Sequence, residues 1–170
     1  LDARFATVQW VVLAYLLASI ALLPVIGRLG DLWGKHRLFL AGYALYGLGS
    51  LLCAVAPDVG SLIAFRTIQG VGSAAMAALA LAIVTDVFPA SLRGRALGLN
   101  GALISAGVVL GPSLGGIVAD VASWRWVFAG GVAISAAGAF LAWRVLPRYA
   151  RRRDARFDVL EADGTIFAWA

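Results

Sequence analysis

Five apolar stretches, each long enough to cross a bilayer, limit this chain to very few folds. They run from Val8 to Ile26, Leu38 to Ala56, Leu62 to Val84, Ala96 to Val118 and Trp126 to Val145. A helix needs roughly 20 apolar residues to cross a hydrocarbon core of about 30 Å. In lipid only helices and closed barrels satisfy their own backbone hydrogen bonds, and the alternation of a barrel strand is absent here. The chain is 62% hydrophobic and only 14% charged, too little charge to cover a soluble domain. The fold class is therefore an all-α membrane protein.

A secretory leader does not account for the first stretch, which lacks a basic start, is too long, and is followed by four more. Position 1 is Leu and the only methionine is Met76, so a piece of a longer protein is expected. Cys53 stands alone, which leaves no disulfide framework and no cysteine-based metal cluster.

The charge lies on one side. The joins after the first, third and fifth stretches carry Arg28, Lys35 and Arg37, then Arg93 and Arg95, then Arg144, Arg148, Arg151, Arg152, Arg153 and Arg156. The opposite joins carry Arg4 and Arg125. Lys and Arg in short loops set membrane orientation, so the basic side is expected in the cytoplasm of a multi-pass cell-membrane protein. Trp124, Trp126 and Phe128 then suit the outer interface. Residues 1–147 form the bundle of spans, and 148–170 read as the start of a cytoplasmic linker near anionic lipid. Nucleic acid is not an expected partner.

A repeat runs through the chain upside down. At a constant offset of 89 residues, Gly27 meets Gly116, Asp31 meets Asp120, Phe39 meets Phe128 and Gly42 meets Gly131. Three spans separate the copies, so the two face opposite sides. Inverted repeats of this kind underlie alternating access in many secondary transporters.

Three stretches carry chemistry. "GRLGDLWGKHR", Gly27 to Arg37, reads as a short turn between two spans, with Asp31 and Lys35 spaced to pair on one helical face. Its glycines allow a tight bend. It is not a phosphate loop, because the spacing is one residue short, His36 replaces Ser or Thr, and no strand precedes it. In the third stretch Arg66, Gln69, Gly70 and Ser73 share one helix face. An Arg near the end of a span can snorkel to water. Gln and Ser aligned below it suggest instead a protein-lined, wet cavity in which the charge works. "GVGSAA", just beyond, imitates a dinucleotide fingerprint without the strand that motif needs. In the fourth stretch Gly107, Gly111 and Gly115 lie one turn apart around Pro112. They make a groove for a neighbouring helix and invite a kink, although ordinary close packing gives the same pattern.

Together these stretches resemble the major facilitator superfamily. Gly27, Leu29, Asp31, Gly34, Lys35 and Arg37 match its cytoplasmic motif between helices two and three. Leu62, Arg66, Gln69, Gly70, Gly72 and Ala74 are similar to its fourth-helix motif. Gly98, Gly107, Gly111, Pro112, Gly115 and Gly116 resemble the fifth-helix motif of drug:proton antiporters, and "WRWVF" with the Arg-rich tail resembles the exporters with fourteen spanning helices. The resemblance implies a fragment covering helices two to six, lacking the first helix and the second half. It implies proton-coupled efflux of drugs or other small amphipathic molecules by alternating access, with no cofactor beyond a proton gradient. In that reading Arg66, Gln69 and Ser73 serve proton coupling and transport, while Gly27, Asp31, Gly34, Lys35, Arg37 and Asp86 form a gate between the halves.

Two rival classes fit less well. A receptor or anchor needs neither a polar helix face nor an inverted repeat. A membrane enzyme needs a catalytic constellation, and one His, one Cys and no paired intramembrane carboxylates supply none. Within transporters the rival is a sugar or metabolite symporter, against which the fifth-helix pattern argues.

Overall fold

The structure, a computed structural model, describes the backbone of residues 5–162 and the side chains of residues 7 and 9–145. Arg4, the side chains of the basic run from Arg148 to Arg156, and residues 163–170 lie outside the described residues. Five helices follow one another: α1 (Phe5–Trp33), α2 (Lys35–Ala54), α3 (Val59–Val87), α4 (Ala90–Val121) and α5 (Trp124–Ala162). All five are long and apolar enough to cross a membrane.

The ends of the helices follow from local chemistry. Gly34 closes α1 at φ 91°, a left-handed conformation that costs a residue with a Cβ about 1 kcal/mol or more. The sequence led us to expect a turn over Gly27–Arg37. Instead α1 stays helical through Trp33 and the turn shrinks to Gly34 alone. One positive-φ glycine reverses the chain, so the residues before it keep their helical hydrogen bonds. At the other end, Asp58 caps α3 by accepting from the Ser61 amide at 2.9 Å, and the Ser61 hydroxyl answers the Asp58 amide at 3.4 Å. Helix α4 continues through Pro112, and α5 remains helical across the boundary expected after residue 147, to Ala162.

Helix α3 is the hub. It packs along both α1 and α2, α2 lies against α5, and α4 leans on α5 with a lighter touch on α3. The crossings are close because side chains are missing where they meet. A Cβ on Gly49 would lie 2.7 Å from Gln69 Cα, and one on Gly70 would lie 2.6 Å from the Tyr15 carbonyl oxygen. Backbones thus touch on both flanks of α3 at one level, as small residues permit in membrane bundles.

The α2–α5 seam carries the mark of the inverted repeat. Across it, Tyr43 faces Gly138, Gly47 faces Ser135 and Ser50 faces Gly131. The register is antiparallel and centred on Tyr46 and Ser135, positions that the 89-residue offset relates. A two-fold axis through the seam requires that register.

Two apolar clusters bracket the middle of the bundle. Val11, Cys53, Ala56, Leu62 and Phe128 form one, and Ile26, Ala74, Ala75 and Leu79 form the other. Between them lies a polar layer.

Candidate functional site: a polar seam around Arg66

The polar layer is built on the face of α3 that the periodicity picks out. Arg66 Nη1 donates to Gln69 Oε1 at 2.9 Å, and Gln69 Nε2 donates to Ser50 Oγ on α2 at 2.6 Å. The Ser50 hydroxyl in turn donates to the Tyr46 carbonyl at 2.9 Å. On the opposite flank, Ser73 shares a 2.7 Å hydrogen bond with the Tyr15 hydroxyl of α1, and Ser19 donates to the Gly70 carbonyl at 3.1 Å. Gln69 is 2% exposed and Ser50 fully buried. The face expected to line a wet cavity is, at Gln69 and Gly70, a packed seam whose polar groups find partners on α1 and α2.

Arg66 is the exception. Its guanidinium lies 4.7 Å from the centre of the Phe128 ring and 5.6 Å from that of Tyr15. It turns toward Gln69, one helical turn further from the α3 start, and not outward to the nearer end. Its Nε is buried without a hydrogen-bond partner. Among the described residues no carboxylate pairs with it. Aromatic faces and one amide oxygen offset part of the desolvation of a cation. Phe128, assigned to the outer interface from sequence, is 8% exposed and serves as the floor beneath this charge, whereas Trp126 stays 63% exposed. The difference is one of helix face: Phe128 points at α3.

A second cluster closes the basic end. Lys35 Nζ, at the first residue of α2, lies 2.8 Å from Asp86 Oδ2 near the end of α3 and 3.3 Å from Asp31 Oδ1 on α1. The expected Asp31–Lys35 pair is present, and Asp86 joins it. One ammonium therefore ties three helices together. Gly30 packs against the Leu79 side chain, Gly34 makes the turn, a Cβ on Gly27 would meet nothing within 4 Å, and Arg37 takes part in neither ion pair of this cluster. At the opposite end Arg125 lies 4.6 Å over the Trp124 ring and donates to the Ala56 carbonyl at 3.5 Å. It joins the α4–α5 turn to the end of α2.

The fifth-helix set is placed differently. A Cβ at Gly98, Gly107, Gly111 or Gly116 would meet nothing within 4 Å, and one at Gly115 only the Val127 side chain at 4.0 Å. The groove exists as a stripe along α4, Pro112 lies within it, and no described residue enters it.

Sequence reasoning missed Tyr15, Ser19 and Ser50. Tyr15 and Ser19 are one turn apart in an otherwise apolar span, the same signal that exposed the α3 face.

A five-span helical bundle with a buried polar seam is the architecture of a multi-pass membrane protein. Residues 1–163 match the family model described as Major Facilitator Superfamily, and the chain belongs to that superfamily of transporters. It is 38% identical to multidrug resistance protein 3 of Bacillus subtilis over 91% of this chain and 30% of that protein. It is 39% identical to puromycin resistance protein pur8 of Streptomyces alboniger, over 93% of this chain and 31% of that one. Riboflavin transporter RibZ of Clostridioides difficile is 36% identical, over 85% of this chain and 32% of that protein. The chain thus spans about a third of the length of these curated relatives.

Proposed function

We propose that this chain is part of a proton-coupled exporter of small amphipathic molecules that works by alternating access in the cell membrane. The observation that carries the reading is Arg66, a charge held between Phe128 and Tyr15 with a buried, unpartnered Nε and no carboxylate pairing with it among the described residues. An intramembrane cation so placed is expensive unless something else in the transporter uses it. A carboxylate from outside the described residues, or an acceptor group on the substrate, completes the site. Because Arg stays protonated, its role is to hold such a carboxylate ionised until substrate or proton displaces it. Gln69 holds Arg66 through its buried amide oxygen, and half-buried Ser73 stands further along the same helix face.

The remaining roles follow the same logic. The basic joins face the cytoplasm, where Asp31, Lys35 and Asp86 latch the ends of α1, α2 and α3 and Asp31 reaches toward the other half. The stripe on α4 receives a helix of the same transporter and seals the cavity against leak. Partners are the lipid bilayer, a small-molecule substrate and the rest of the bundle, and the energy source is the proton gradient. Relatives named for multidrug and puromycin resistance support export over uptake.

The test uses inside-out vesicles holding a transporter of the relatives' length that carries this chain. An inward-acid gradient is expected to drive uptake of ethidium or puromycin, and collapse of the gradient to abolish it. Flux of both probes indifferent to the gradient would remove the coupling.

A further inference from the structure

We infer that Ser50, on α2, is a positioning residue for proton coupling: it fixes the direction of the side-chain hydrogen bond by which Gln69 holds Arg66. The inference rests on the transport reading above and concerns a residue outside every motif singled out in the sequence.

The argument is one of donor and acceptor inventory. A guanidinium has only donors, so the group facing Arg66 Nη1 must be the amide oxygen of Gln69. That orientation turns Gln69 Nε2 toward α2, where Ser50 Oγ stands 2.6 Å away and must accept. The hydroxyl proton of Ser50 then has one destination, the Tyr46 carbonyl at 2.9 Å. The donor and acceptor of each of the three hydrogen bonds linking Arg66, Gln69, Ser50 and the Tyr46 carbonyl are thereby assigned, and the row runs in one direction only. Neither inner member has water as an alternative, since Ser50 is fully buried and Gln69 is 2% exposed. From the far side Gly131 of α5 closes on Ser50, where a Cβ would lie 3.1 Å from its Oγ. The hydroxyl is therefore held on α2, α3 and α5 at once.

Removing it strands the Gln69 amide. A buried donor without an acceptor reorients toward any carbonyl within reach, and the oxygen that faced Arg66 swings away with it. Arg66 then keeps its rings but loses its hydrogen-bonded anchor. The charge remains while its position does not, so coupling suffers more than passage of substrate.

The experiment compares Ser50→Ala, Gln69→Leu, the double substitution and Ser135→Ala in a transporter of the relatives' length, reconstituted in proteoliposomes at matched amounts. Ser135 is the control because it is 4% exposed at the same α2–α5 seam but donates only within α5, to the Val132 carbonyl at 2.8 Å. Ethidium flux is read with an imposed proton gradient and downhill without one. Ser50→Ala is expected to cut the ratio of driven to downhill flux by about tenfold, the scale set by losing one hydrogen bond to a charged group. Gln69→Leu should do the same, the double should be no worse than Gln69→Leu alone, and Ser135→Ala should match the unsubstituted protein. Shared, non-additive loss is the signature of one row. If Ser50→Ala fails to accumulate in membranes, recovery in the Gln69→Leu background supports the row and failure to recover overturns it. An unchanged flux ratio in Ser50→Ala, or losses that add in the double, sinks this inference and leaves the transport reading intact. Absence of any gradient-driven flux in the unsubstituted protein overturns both.

Discussion

The three-helix tie at the basic end separates two roles that one acidic cluster could otherwise confuse. Lys35 Nζ lies 2.8 Å from Asp86, and both side chains are about three-quarters shielded, at 24% and 27% exposure. Its contact with Asp31 is longer, 3.3 Å, and the Asp31 side chain is 68% exposed. Unit charges about 4 Å apart interact by roughly 4 kcal/mol gross at an effective dielectric near 20, but solvent and side-chain entropy reduce exposed pairs to about 0–1 kcal/mol. Asp86→Asn is thus expected to cost about 1–2 kcal/mol of bundle stability, above the range of fully exposed pairs because this one is largely shielded. Asp31→Asn should cost less than about 0.5 kcal/mol, because Lys35 keeps its nearer partner. Transport should rank the other way. Asp31 is exposed and held at the longer distance, so under the proposed latch role its amide should impair ethidium efflux while insertion and melting temperature stay normal. The assay pairs thermal melting of purified protein in detergent with gradient-driven flux. Equal destabilisation by both variants, or normal flux in Asp31→Asn, would refute this division.

Other expectations follow from the same geometry. Arg66→Ala should reduce driven ethidium flux at least tenfold, and Arg66→Lys should recover little, since an ammonium keeps the charge without the planar fork; wild-type flux in Arg66→Ala would show the charge to be idle. Gly111→Ala should raise passive leak or lower efflux more than Gly101→Ala, and equal behaviour would reduce the stripe to ordinary helix composition. Neither change meets an atom within 4 Å among the described residues, so any difference reports a helix outside them. Ser123→Cys, in a background with Cys53 replaced, should react with an impermeant maleimide in intact cells; reaction only after permeabilisation would invert the orientation.

How much of this was legible in the sequence depended on whether the information was local. Span count and the α3 face were readable because hydropathy and periodicity are properties of one helix. Arg66, Gln69, Gly70 and Ser73 could be grouped before any partner was known. What periodicity cannot give is the facing helix. Ser50 is a single small polar residue in "YGLGSLL", and only its distance to Gln69 distinguishes it from Ser135. At Gln69 and Gly70 the face expected to line a wet cavity is a packed seam for the same reason, as Gly49 and Gly70 let α2 and α1 close on it. Phe128 was misassigned because an aromatic next to Trp126 suits an interface by type, while its face of the helix depends on α3. Glycines weigh toward bends, so the sequence favours a turn over all of Gly27–Arg37, whereas within it only Gly34 adopts a conformation that needs one.

The repeat offers a way to reason about the face that nothing described covers. Helix α1 meets α3 through Ala18, which packs on Gly70, and through Leu22 and Ile26, which join the inner apolar cluster around Leu79. The 89-residue offset carries those three positions onto Gly107, Gly111 and Gly115. The stripe on α4 is therefore the counterpart of the surface by which α1 holds α3. In the proposed transporter, the two-fold through Tyr46 and Ser135 would give α4 a partner outside the described residues, the equivalent of α3 in the other copy. The residues at the contact differ in size. Where α1 presents Ala, Leu and Ile, α4 presents only glycine, so in the proposed transporter a helix seated there would meet the α4 backbone directly at Gly107, Gly111 and Gly115. Small-residue interfaces of that kind gain from van der Waals contact and leave no space for a methyl group. The asymmetry falls on the helix that the exporter resemblance singles out, and it makes Gly111, at the centre of the stripe, the position where one added carbon should disturb the seal most.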